Sequence, residues 1–240
     1  MKRLNLLNKG LMMLAVVMAI LLLFKIFSYK SWERYYYTSS VSNPEAFPIH
    51  LFGIAFIMEN GEYSGDFYND LDIINSFNSD WGRGTSYEAY NPQFLPKSLF
   101  VEYMDFRTQK YYIDTIILPK EKMYQSFEIA KKQNKLSDLA YGRRKMGLSF
   151  HVGIANDGNI LIWLLGDDYQ LELYRKKIHP KPFTGNVVSK KEPEPVGANK
   201  SQINYFADVP DSLKRKIMEL KVDNVEYKDS VPVYFDQLRP

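Results

Sequence analysis

The sequence predicts a mainly β, α+β fold: an antiparallel sheet or sandwich built from hairpins, with one or two packed helices, preceded by an N-terminal transmembrane helix. Three observations predict it. Leu148–Gly166 reads as two strands joined at Asp157-Gly158, a dipeptide suited to a two-residue turn with positive φ at both positions. Aromatics make up 15% of the chain, with 18 Tyr and 15 Phe, and such side chains favour strands. Finally, Leu11 to Phe24 is an unbroken apolar run behind a basic tip of Met1-Lys2-Arg3 and Lys9.

The N-terminal run is interrupted by Lys25 and extended by Ile26-Phe27. A lysine at that point can snorkel to the interface, so the segment can span a bilayer. No small-residue cleavage site follows it, which favours an uncleaved signal anchor over a removed signal peptide. Lys2, Arg3 and Lys9 then stay cytoplasmic, and the remainder lies in the periplasm as a single-pass inner-membrane protein. Export after cleavage is the alternative. Four segments follow: residues 1–30 as cytoplasmic tip and anchor, 31–178 as a β-rich domain, 179–201 as a Pro/Lys/Glu linker or loop, and 202–240 as a C-terminal helix and extended tail.

Trp32, Tyr35, Tyr36 and Tyr37 read either as an interfacial aromatic belt or as the opening of a strand over Tyr35 to Val41. Ile49 to Met58 is a second strand, and Asn60-Gly61 turns it back at Tyr63. Glu59 to Asp80 is acidic, but its spacing matches no calcium loop and reads as solvated charge. Trp81-Gly82-Arg83-Gly84 reads as a bend where backbone passes an aromatic ring. Ser98 to Phe106 and Lys110 to Leu118 form another hairpin. Pro119 ends it and opens an amphipathic helix over Lys120 to Lys135, with Met123, Phe127 and Ala130 on one side. Arg143-Arg144-Lys145 reads as a solvated loop, with an anionic surface as the alternative partner.

In the central hairpin a two-residue loop sets Ile154 opposite Leu161, Val152 opposite Trp163, and Phe150 opposite Leu165. These six then share one buried face. Tyr169 to Ile178 is a further strand. A short helix across Pro210 to Leu220, capped by Asp208, follows the linker.

Composition narrows function. The net charge is +3 and the pI near 8.7, too mild for a nucleic-acid partner. The absence of cysteine removes disulfides, thiolate chemistry and a lipid-modified cysteine. No nucleotide, hydrolase or metalloprotease motif is present, so no cofactor, catalytic residue or metal ligand is assigned. His50 and His151 sit in strands and could meet; a strand histidine satisfied by hydrogen bonds is the reading preferred over a zinc ligand. Glu102 and Asp105 are the carboxylates to consider for paired-acid hydrolysis.

An ordered set of residues also carries a resemblance: Trp81, Gly82 and Gly84; Pro96 before a strand; Pro119 before a helix; Gly153 and Gly158; then Trp163 and Gly166. In this order, over roughly Tyr35 to Ile178, the chain resembles the bacterial family catalogued as domain of unknown function 2931. The resemblance implies an exported envelope domain, lipoprotein-like in most members, in some of them an immunity protein against lipase toxins delivered by type VI secretion. Here an apolar helix stands where those members carry an acylated cysteine. The expected function is therefore a membrane-anchored protein-binding module, with a glycan-binding module or a paired-carboxylate hydrolase as alternatives.

Overall fold

A computed structural model describes residues 5–44, 47–64, 91–140, 142–183 and 210–219. Helix α1, Leu6–Tyr29, has 24 residues and none of them is buried. At 1.5 Å per residue it is about 36 Å long, enough to cross a hydrocarbon core of about 30 Å. By length and apolarity it qualifies as a membrane span. Asn5 caps its start by accepting from the Leu7 N–H. It ends at Lys30, which turns into left-handed backbone at φ 49°.

A one-turn 3₁₀ segment, Ser31–Glu33, leads into β1, Arg34–Ser42. The remaining strands are β2 (Ile49–Ile57), β3 (Tyr63–Ser64), β4 (Gln93–Phe94), β5 (Ser98–Asp105), β6 (Tyr111–Ile117), β7 (Ser137–Asp138), β8 (Met146–Ile154), β9 (Asn159–Gly166) and β10 (Tyr169–Lys177). Helix α2 spans Lys120–Lys132, and α3 spans Asp211–Glu219. The fold is thus mainly β, with α2 packed on the sheets. The strands make two sheets. The first runs β10-β9-β8-β1-β4, with β7 also on β8; the second runs β3-β2-β5-β6.

The sheets pack face to face. Phe56 of the second sheet meets Tyr37 and Phe150 of the first, with ring centroids at 6.3 and 5.1 Å. Phe127 of α2 reaches Phe150 at 6.1 Å. Met123, Phe127 and Ala130 are the buried apolar side of α2, as the helical spacing predicts. Pro96 is buried where the chain leaves β4 in one sheet and begins β5 in the other. Its missing N–H costs nothing there, since the connection needs no ladder bond.

The central hairpin corrects the expected register. Asp157 and Gly158 do have positive φ, 54° and 77°. The loop nevertheless holds three residues, because Asn156 joins the turn and Ala155 N–H bonds to the Asn159 carbonyl. Pairing shifts by one residue: Ile154 faces Ile160, Val152 faces Ile162, Phe150 faces Leu164, and His151 faces Trp163. A one-residue slip moves every side chain of one strand to the opposite face. Ile160, Ile162 and Leu164 therefore enter the main core, while Trp163 and Leu161 form a small buried cluster with Ala155 on the outer side.

One pairing sets the orientation of everything that follows. β1 lies parallel to β8, from Tyr36 against Gly147 to Ser42 against Gly153. Parallel strands start at the same end of a sheet. The exit of α1 and the loop before β8 consequently share one end of the domain.

Candidate functional site

Arg34 joins the apolar helix to the sheets. Its guanidinium lies 4.4 Å from the Tyr29 ring centroid and 4.1 Å from that of Phe94, and its Nε donates to the Tyr29 carbonyl at 2.8 Å. A guanidinium between two aromatic faces is attracted by both ring quadrupoles. The helix end is thereby fixed to β4 and β1.

Beside this joint opens a cavity of about 620 Å³. Lys30, Glu33 and Arg34 form the wall next to the helix. The β2–β3 hairpin supplies Glu59, Glu62 and Tyr63, and the start of α2 supplies Lys120 and Tyr124. Lys120 and Glu59 bridge two walls at 2.9 Å. The hydrogen bond from Lys120 holds the Glu59 carboxyl below its usual range, and the same bond raises Lys120. Tyr63 is 63% exposed. The concavity thus combines opposed charges, donors and exposed aromatic area.

The histidines and strand carboxylates lie away from this cleft. His151 is buried on the outer face of the first sheet, with Ser40 Oγ 2.8 Å from Nδ1 and Ser42 Oγ 2.8 Å from Nε2. Burial lowers its pKa to about 4. His50 lies on the second sheet, packed against Phe52 and Phe106, and burial lowers it to about 4 as well. The main core separates the two histidines, so they do not meet. Among the described residues no cluster of three or more His, Asp or Glu side chains could hold a metal ion.

Glu102 and Asp105 alternate to opposite faces of β5 and do not form an opposed pair. Glu102 is buried behind the second sheet, where Tyr111 Oη donates to it at 2.6 Å. Asp105 accepts the N–H groups of Arg107 and Thr108 at 2.8 and 3.3 Å and so closes the turn after β5. Burial raises its carboxyl above the usual range.

Trp81, Gly82 and Gly84 lie outside the described residues, as does most of the acidic stretch. Pro119 immediately precedes α2, and the Met123 N–H bonds to its carbonyl at 3.0 Å. Gly153 pairs with Ser42 on one side and Leu161 on the other. A side chain at Gly158 would run into the Ile178 carbonyl, and one at Gly166 into the Lys135 carbonyl. Trp163 is buried and Trp32 exposed, its ring edge-on to Phe27 of α1.

The family model for proteins of unknown function, DUF2931, matches residues 28–225. The chain belongs to that family. The DUF2931 match starts in the last turn of α1 and takes in both sheets, α2 and α3. No curated protein and no solved structure matches the chain significantly. The cleft beside Arg34 was not legible in the sequence, since its walls come from four separate segments. The polar alternation Thr38, Ser40, Ser42 was a usable signal for a partner strand carrying Ser149 and His151; Thr38 and Ser149 hydroxyls also meet at 2.7 Å.

Proposed function

We propose that this DUF2931 protein is a membrane-anchored protein-binding module. In this reading α1 stays in the inner membrane and the two-sheet domain stands in the periplasm. The observation that carries it is the open, mixed-charge cleft built directly against the helix exit, with Tyr63, Glu62 and Lys120 presented to a partner. A photo-crosslinking amino acid at Tyr63, incorporated in intact cells, tests it. A discrete protein adduct that disappears on Lys120→Glu is expected. The absence of any adduct beyond that of a probe placed at exposed Asp168 overturns it.

Immunity against a secreted lipase-type toxin is the specific form of this reading. The cleft's position beside the anchor supports it, because a lipase works at the bilayer surface. Co-expression with a periplasm-directed lipase-type toxin is expected to restore growth, and Lys120→Glu to lose the rescue. Failure of the native chain to rescue removes the immunity form.

A further inference from the structure

A second cavity, of about 500 Å³, lies at the same end of the domain. Trp32, Arg34, Tyr36, Lys131, Arg144 and Met146 line it. We propose that this face docks onto anionic phospholipid headgroups of the membrane that holds α1. The inference rests on the anchored reading above.

Three observations carry it. First, the parallel pairing of β1 with β8 places residues 143–146 level with the helix exit. The loop therefore lies at the end of the domain from which α1 leaves, within reach of the same leaflet. Second, the loop is held in shape. The Asp138 carboxylate accepts the N–H groups of Ala140, Gly142 and Arg144 at 3.1, 2.8 and 3.2 Å. Arg144 is thereby fixed in left-handed backbone at φ 58°. Asn134, at the end of α2, is likewise left-handed at φ 55°, and it lines the same cavity as Lys131. Fixing in advance the backbone that carries Arg144 lowers the entropy lost on binding.

Third, the composition matches a headgroup layer. Lys131 and Arg144 line the cavity beside Arg34, whose guanidinium is held between Tyr29 and Phe94, and against one carboxylate, Glu128, which accepts from Tyr35 Oη at 3.2 Å. Trp32 and Met146 are 55% and 42% exposed beside these cations. Amphipathic side chains next to basic ones suit the boundary between acyl chains and phosphates. Each basic side chain near an anionic leaflet adds to that attraction. The domain thus lies against the bilayer on this side.

The chain has no cysteine, so single reporters are clean. The full chain, reconstituted in nanodiscs, carries a fluorophore at Met146→Cys or at Leu22→Cys in α1. Spin-labelled lipids quench at headgroup depth for the first reporter and at acyl depth for the second. Leu22 quenching in every bilayer reports insertion. Met146 quenching is expected in phosphatidylglycerol-rich discs and is lost in pure phosphatidylcholine, in concentrated salt, and in Lys131→Glu/Arg144→Glu. The salt response needs no variant, so a misfolded double variant does not decide the outcome. Quenched Leu22 with unquenched Met146 in phosphatidylglycerol overturns the docking and leaves the anchor standing. Unquenched Leu22 overturns the anchor itself. Unquenched Met146 in phosphatidylglycerol together with retention of inorganic phosphate by the detergent-solubilised chain assigns the cavity to free phosphate and overturns the lipid assignment.

Discussion

Acid should destabilise this domain through His151, and the size of the effect can be worked out. The imidazole is neutral between Ser40 and Ser42, and burial lowers its pKa from 6.5 to about 4. The unfolded chain therefore binds more protons than the folded one between those values. Stability rises with pH wherever that holds. The contribution is fully present above the unfolded pKa and is lost as pH falls towards the folded one. Between pH 7.5 and 5.5 the loss from this one group is about 1.3 kcal/mol, since the unfolded form gains roughly a tenfold proton-binding advantage. His151→Gln keeps a donor and an acceptor but does not titrate. Urea unfolding of the detergent-solubilised full chain, followed at both pH values, gives the comparison. The native chain should lose about 1.3 kcal/mol more than His151→Gln over that interval. Carboxylates such as Asp105, raised by burial, act equally in both proteins and cancel. Equal losses in the two would refute the buried neutral imidazole.

Other expectations follow from the packing. Phe150, fully buried between Tyr37, Phe56 and Phe127, joins both sheets to α2; Phe150→Ala should cost about 3–5 kcal/mol in chemical denaturation. Gly166→Ala forces a methyl group onto the Lys135 carbonyl, and thermal unfolding should report a loss of about 1–3 kcal/mol. Asp138→Ala removes the acceptor for three backbone N–H groups, so the Gly142 and Arg144 amides should exchange hydrogen faster while core amides keep their protection. Arg34→Ala removes the cation between Tyr29 and Phe94; spin labels on α1 and on β6 should then report a broader distance distribution.

Local chemistry made much of the fold readable. Alternation and turn dipeptides marked β2, β5, β6, β8, β9 and β10, and 3.6-residue spacing marked α2. What failed did so for physical reasons. The Asp157-Gly158 dipeptide fixes positive φ but does not say whether Asn156 belongs to the strand or the loop, and that one residue decides which face Trp163 takes. β4 and β7 are two residues each, too short to show a period. The parallel pairing of β1 with β8 joins residues 111 positions apart, Tyr36 with Gly147, and no local pattern encodes it. The basic face depends on that pairing, and the cleft on four distant segments meeting, so neither was visible before the strands were placed. The two histidines were readable as strand residues, but only the sheets show that they lie on different ones, His151 buried and His50 half-buried.

The central proposal is that α1 crosses a membrane and holds the two-sheet domain on its far side, with the helix exit and the loop before β8 at the same end. The most direct measurement uses a single reporter cysteine at Asn60, exposed at the tip of the β2–β3 turn, in cells whose outer membrane has been made permeable. The chain should resist alkaline extraction from the membrane, and a membrane-impermeant maleimide should label Asn60→Cys without inner-membrane lysis. Extraction as a soluble protein, or labelling only after the inner membrane is broken, would contradict it.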